Sequence, residues 1–247
     1  MLVWSQLNTE EQAACLSRPA LAASGDLQQQ VSELLALVKR DGDSALKRLN
    51  KQFDNADFET LLVSDAEYRE ADNMLSQTLK TALETAFNNI TRFHEAQQPT
   101  PIKVTTQPGV VCELRYQAID AVGIYVPGGS APLPSSVLMQ GALAKLAGAS
   151  TIVLATPCKN GEPVNPAILY AAKLCGVTHL IKVGGAQAIA AMAFGTESVP
   201  QVNKIFGPGN SYVTMAKQLV AQQVTGLAID MPAGPSELRN NTDFGRR

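Results

Sequence analysis

The first hundred residues carry apolar side chains at the spacing of amphipathic helices. Between Asp26 and Arg40 the apolar positions share one helical face, at Leu27, Val31, Leu34, Leu35 and Val38. Asp41-Gly42 predicts the end of this helix, and a second long amphipathic pattern runs from Ser76 to Gln97. Residues 1–100 are therefore predicted to form a helical N-terminal region, and their charges are interpreted as a solvated face without chemistry.

The pattern changes after a proline-containing linker at residues 97–102. One strand-like run of residues precedes Pro108-Gly109 and another follows it, which predicts a β-hairpin. From Ala121 onward, short apolar runs alternate with helical runs, as is typical of a parallel β-sheet with right-handed crossovers. Residues 101–237 are therefore predicted to be an α/β region, and the polar residues 238–247, which lack a strand or helix pattern, a separate tail.

Two strand-to-helix turns of the α/β region are rich in glycine. The first places Gly184-Gly185 after Ile181-Lys182-Val183, and the second places Gly207-Pro208-Gly209-Asn210 after Lys204-Ile205-Phe206. A helix that starts at such a turn points free N–H groups and its positive dipole end at one place, where glycine lets a phosphate approach the backbone. The turns therefore predict an anionic or nucleotide ligand at the carboxyl ends of the strands. Neither turn matches G-x-G-x-x-G, and in the second turn Tyr212 stands where the third glycine would be. Ordinary turns of an α/β sheet therefore remain the alternative.

Three side chains at the strand-to-helix ends are candidate ligand contacts. In the strand–helix units that begin at Ala121, Tyr125 ends the first strand, Gln187 opens the third helix, and Asn210 opens the fourth. A parallel sheet would bring all three to one rim, where tyrosine can stack on or bond a nucleotide and the amides offer paired donors and acceptors. The alternatives are local, with Asn210 capping its own helix and Gln187 facing solvent.

The composition is that of an ordinary globular protein. The 247 residues carry a net charge of −2, so a nucleic-acid partner is not expected. The N-terminus lacks a signal-peptide pattern and no apolar run reaches bilayer length, which predicts a cytoplasmic protein without membrane contacts. The four cysteines are scattered and the two histidines, His94 and His179, lie far apart, so neither a zinc site nor a catalytic base is expected in this chain.

Three long stretches make the sequence resemble the histidinol dehydrogenase family. They are GIYVPGGSAPLPSSVLM at residues 123–139, VGGAQAIAAMAFGTESVPQVNKIFGPGN at residues 183–210, and AIDMPAGPSE at residues 228–237. The resemblance implies a three-layer α/β/α, aldehyde-dehydrogenase-like fold with a mostly parallel sheet. It also implies an NAD-dependent, zinc-containing homodimer that oxidises L-histidinol to L-histidine with two NAD.

The resemblance also assigns residues to the site. The NAD contacts of the family fall on Tyr125, Gln187 and Asn210, which makes residues 101–237 the nucleotide-binding region, and a substrate-contacting serine falls on Ser236. The zinc ligands and the catalytic Glu-His pair of the family have no counterpart in this chain.

The resemblance ends at Glu237, and the chain is therefore expected to be the NAD-binding half of the enzyme, truncated and inactive alone. Two alternatives remain. One is a non-catalytic NAD-binding or interaction module, and the other is a structural domain whose glycine turns serve only topology.

Overall fold

The computed structural model describes residues 4–16, 25–128 and 132–230. In chain order the α-helices are α1 (Thr9–Leu16), α2 (Gly25–Asp54), α3 (Asp65–Met74), α4 (Gln77–Glu95), α5 (Pro134–Ala147), α6 (Pro166–Cys175), α7 (Gly185–Phe194) and α8 (Ser211–Gln223). The strands are β1 (Ile102–Gln107), β2 (Val110–Leu114), β3 (Ala121–Tyr125), β4 (Thr151–Ala155), β5 (His179–Ile181), β6 (Lys204–Phe206) and β7 (Ala228–Ile229). Short 3-10 turns lie at Trp4–Gln6 and Lys159–Gly161.

Five parallel strands form the centre of the fold in the order β5-β4-β3-β6-β7. The first strand of this sheet, β3, lies in its middle. The chain then adds β4 and β5 on one side of β3 and β6 and β7 on the other. Helices α5 and α6 pack on one face of the sheet, while α7 and α8 pack on the other. The adjacent strands β3 and β6 therefore lead into helices on opposite faces, which opens a crevice at their carboxyl ends.

Both faces of the sheet are buried, as the apolar composition of its strands requires. On β4, Ile152 and Leu154 point into the core with α3 to α6, whereas Val153 and Ala155 point into the core with α2, α7 and α8. This period of two divides the interior into two apolar layers around one sheet. The predicted parallel α/β sheet and the three-layer arrangement are both confirmed.

The longest helix, α2, is interrupted at Gly42. This residue has φ 52° and ψ −133°, a conformation that glycine adopts without a steric penalty, and the predicted break at Asp41-Gly42 is confirmed. The next residue is anchored to the loop after α7, because the N–H of Asp43 donates to Oε2 of Glu197 at 2.8 Å and the hydroxyl of Thr196 donates to Oδ1 of Asp43 at 2.6 Å. Both segments of α2 pack on the face that carries α7 and α8.

The predicted hairpin is also confirmed. Strands β1 and β2 pair antiparallel, with Ile102 opposite Leu114, and every residue of both strands is exposed.

A buried lysine connects α3 to the sheet. Ser64 caps α3 in a reciprocal box, in which its hydroxyl accepts from the N–H of Glu67 while Glu67 Oε2 accepts from the N–H of Ser64 at 2.8 Å. Oε1 of Glu67 accepts from Nζ of Lys182 at 3.1 Å. Lys182 directly follows β5, and its carbonyl accepts from the side chain of Asn50 at 2.7 Å, so this group of contacts joins α2, α3 and the end of β5.

Replacing Glu67 by glutamine is expected to destabilise the fold in a pH-dependent way. Burial alone would raise the pKa of Glu67, but the hydrogen bonds from Ser64 and Lys182 outweigh it and lower the pKa. A lowered pKa contributes stability above the usual carboxyl value of 4.5, which is lost as the pH falls through the folded value. We expect Glu67→Gln to lower the free energy of unfolding by about 1–2 kcal/mol at neutral pH, with a smaller difference in acid.

Urea unfolding at pH 7 and pH 4 measures this difference. Glu70→Gln, at an exposed position of the same helix, is the matched control and should leave the unfolding free energy unchanged. A Glu67→Gln difference that does not shrink in acid would contradict the role given to the carboxylate.

Candidate functional site

A cleft of about 1030 Å³ opens between α2 and the carboxyl edge of the sheet. One wall is α2, and the other consists of the turns that follow β3, β4, β5 and β6. Tyr125, Gln187 and Asn210 all line it, although they come from three different turns. The structure therefore brings the three predicted site residues to one rim, and their role as ligand contacts stays a prediction.

Tyr125 forms the floor of the cleft where β3 ends. Its side chain is 4% exposed, and its phenol oxygen accepts a hydrogen bond from the N–H of Gly185 at 3.0 Å. Burial raises the pKa of Tyr125, the Gly185 N–H opposes the rise, and the negative charge of Asp54 adds to it. A neutral phenol that accepts one hydrogen bond keeps its own O–H to donate, so Tyr125 can offer a donor to a ligand.

Gln187 lies in the first turn of α7 and is only 2% exposed, so the alternative that it faces solvent is wrong. Its side chain folds over the preceding turn, where a Cβ placed on Gly185 would come within 2.7 Å of Oε1 of Gln187. The N-cap of α7 is Gly184, which has no side chain to accept from the first N–H groups of the helix. Apart from the Gly185 N–H, which bonds Tyr125, this helix start therefore presents N–H groups without a side-chain cap, beside a buried amide, at one point of the cleft.

Asn210 caps α8, as predicted by the alternative that this residue caps its own helix. Its Oδ1 accepts from the N–H of Val213 at 3.0 Å. The cap occupies only the carbonyl half of the amide, and Nδ2 is not part of it. Because Asn210 also lines the cleft, capping and ligand contact are compatible for this residue.

A buried ion pair holds the turn after β6 against the end of β3. Gly207 has φ 122°, and a Cβ there would lie 2.1 Å from the carbonyl oxygen of Tyr125, so the close approach requires glycine. Nζ of Lys217 donates to the Gly207 carbonyl at 2.9 Å, and Oδ2 of Asp230 accepts from the Gly207 N–H at 2.9 Å. Lys217, whose side chain is 7% exposed, and Asp230 also pair with each other, so both polar groups of this peptide are held by opposite charges.

A second cavity, of about 480 Å³, lies on the other side of this turn, between α5 and α8. Sequence analysis did not predict the roles of Lys217 and Asp230. A lysine within the apolar pattern of α8 is the signal that was available.

The wall formed by α2 was not anticipated either. Glu33, Arg40, Phe53 and Asp54 line the cleft, whereas the sequence pattern assigned the charges of this region to a solvated face. Phe53 and Tyr212 are 57% and 44% exposed and offer aromatic surface inside the cleft. The contribution of α2 depends on how it packs across α7 and α8, which its own periodicity does not specify.

Within the described ranges, no group of three or more histidine, cysteine, aspartate and glutamate side chains is arranged to hold a metal ion. His94 bonds Gln97 and His179 bonds Thr178, each through Nδ1. All four cysteines are free thiols, and burial raises the pKa of Cys158 to about 12. Ser236 lies outside the described residues. Of the helices that the structure describes, none combines the length and the apolar character required to cross a bilayer.

Comparison with known proteins places this geometry in a family. The profile described as histidinol dehydrogenase matches residues 16–243. A histidinol dehydrogenase of Pseudoalteromonas translucida is 63% identical over 238 residues, which are 96% of this chain and 55% of that protein. One of Vibrio parahaemolyticus is 51% identical over 237 residues, covering 96% of this chain and 54% of that protein.

Solved structures agree with the sequence comparison. The crystal structure of histidinol dehydrogenase from Elizabethkingia anophelis superposes with a TM-score of 0.86 at 44% identity, covering 93% of this chain and 52% of that one. The chain thus spans about half the length of the relatives it matches. It belongs to the histidinol dehydrogenase family.

Proposed function

We propose that the cleft binds NAD through Tyr125, Gln187 and Asn210. The observation that carries the proposal is the convergence of these three side chains on one cleft at the carboxyl edge of a doubly wound sheet. Ligands of such sheets bind where neighbouring strands lead to opposite faces, and β3 and β6 are such a pair. The cleft volume of about 1030 Å³ is adequate for a dinucleotide.

The residues of the cleft fit the parts of the cofactor. The N–H groups at the start of α7, other than that of Gly185, suit a diphosphate. The faces of Phe53 and Tyr212 suit a base, and the phenol and the two amides suit the polar edges of the ligand. Bound NAD supplies a hydride acceptor. The role of these side chains is to hold the dinucleotide in one orientation.

We extend the proposal to the reaction that gives the family its name. The chain would serve the oxidation of L-histidinol to L-histidine with two NAD in histidine biosynthesis, as part of a cytoplasmic homodimer. Ser236 would contact the substrate. The described residues do not offer the ligands of the zinc that the family implies.

The substitution Asn210→Ser separates the capping role of Asn210 from its proposed contact with the ligand. Asn210→Ser keeps an oxygen for the N–H of Val213, so the unfolding free energy should change by only a few tenths of a kcal/mol. The lost amide should weaken NAD binding by about three- to ten-fold. Asn210→Ala, which loses both functions, should also be less stable by about 1 kcal/mol.

Calorimetric titration with NAD and thermal unfolding measure the two effects. If Asn210→Ser binds NAD as tightly as the wild type, Asn210 is a helix cap and its assignment to the ligand fails.

Removing the hydroxyl of Tyr125 should reduce both stability and affinity. In Tyr125→Phe the N–H of Gly185 loses its acceptor, which should cost about 1–2 kcal/mol of unfolding free energy, and the ligand loses a donor. Tyr116→Phe, at a residue 53% exposed and away from the cleft, is the matched control. Equal NAD affinities for the two variants would argue against a contact at Tyr125.

Turnover is a separate measurement from binding. The resemblance implies that the zinc ligands and the Glu-His pair of the family have no counterpart in this chain. We therefore expect it to bind NAD without forming NADH from histidinol, even when zinc is added. This outcome also describes the alternative of a non-catalytic NAD-binding module. Clear NADH formation by this polypeptide alone would refute the expectation of inactivity.

A further inference from the structure

Asp54 occupies an electrostatically unfavourable position beside the cleft. It is the last residue of α2, where the negative end of the helix dipole disfavours a carboxylate. The side chain is half-buried, and burial raises the pKa of Asp54. Across the three described ranges, its carboxylate has neither a hydrogen bond nor an ion pair. Within the described ranges, the charge of Lys159 favours the ionised form of Asp54, but it does not offset the cost of burial.

The neighbours of Asp54 belong to the cleft. Its charge contributes to raising the pKa of Tyr125 and of Cys158, while Lys159 pulls the pKa of Asp54 down without cancelling the effect of burial. Lys159 also lines the cleft. Unpaired, desolvated charges that break a local rule tend to mark binding sites, because the ligand supplies the missing partner.

The missing partner can be identified by its chemistry. A carboxylate only accepts hydrogen bonds, and its two oxygens suit the two adjacent hydroxyls of a ribose. In doubly wound sheets an acidic residue about 20 positions beyond the first glycine turn has this role. In this chain β4 ends at Ala155 and is followed by Thr156 and Pro157, so no carboxylate stands there, whereas Asp54 of α2 lies in the same cleft.

We propose that Asp54 accepts hydrogen bonds from a ribose of the bound dinucleotide and makes the site select NAD over NADP. The inference rests on the proposed NAD binding and adds the source of its specificity. A phosphate on the ribose 2′-hydroxyl would meet a like charge in a partly desolvated position. Arg40, the residue type that holds such a phosphate elsewhere, is already paired with Asp41 through a 2.7 Å contact.

Titration of the full chain with NAD and with NADP, at one ionic strength, tests the proposal. The wild type should bind NAD at least about ten-fold more tightly than NADP. Asp54→Asn keeps the shape but loses the charge, so NAD binding should weaken about ten-fold and the preference over NADP should nearly disappear. Its unfolding temperature should not fall, because the substitution removes an unpaired carboxylate from a helix C-terminus.

Two further variants complete the design. Asp57→Asn removes a charge three residues away, on an exposed side chain that pairs with Lys51 and does not line the cleft, and should leave the NAD to NADP ratio unchanged. Asp54→Glu retains the charge and should retain the preference for NAD.

The outcomes separate this inference from the proposal on which it rests. If the wild type binds NAD but Asp54→Asn keeps the wild-type ratio, or if its unfolding temperature falls markedly, the role of Asp54 is overturned while the NAD site stands. If the wild type binds neither dinucleotide, both are overturned.

Discussion

Strand β3 pairs with β6 from Val122 opposite Lys204 to Ile124 opposite Phe206, although about eighty residues separate the two strands. The two chain segments stay in contact after the strands end, because Gly207 approaches the carbonyl of Tyr125 more closely than any residue with a Cβ could. Two of the three predicted ligand contacts, Tyr125 and Asn210, depend on this junction. It sets Tyr125 beside the turn that leads to Asn210, so that residues from two distant parts of the chain meet at the rim of the cleft.

Much of this architecture follows from local sequence. The glycine turns, the strand and helix alternation, the break at Gly42 and the cap at Asn210 depend on residues within a few positions of one another, so a pattern reveals them. Their meeting at one rim could also be predicted, because parallel strands place all their carboxyl ends on the same edge.

Other features depend on contacts that sequence does not encode locally. Gln187 is buried because α2 and the turn at Gly185 enclose it, and Asp54 lies in the cleft because α2 crosses α7 and α8. A helical periodicity identifies the apolar face of α2 but not the element it covers. The pairing of Lys217 with Asp230 likewise requires β7 to lie beside β6, which is a property of strand order.

The buried charges of the protein fall into two kinds. Lys182 is paired with Glu67 and stands 4.8 Å above the ring of Phe58, and Lys217 is paired with Asp230 and bonded to a carbonyl. These cations are fully compensated, as buried charges in a stable fold must be. Asp54 differs from them because it is desolvated without a partner among the described residues, and it lies where a ligand would bind.

The interruption at Gly42 divides the wall of the cleft into two segments of α2. Residues from Gln30 to Arg40 precede the break and residues from Leu49 to Asp54 follow it. The contact of Asp43 with Glu197 lies between the two segments and ties this point of α2 to the loop after α7. An elongated ligand in the cleft would therefore meet two separate segments of one helix, and substitutions in the two segments that share no partner are expected to act additively on its binding.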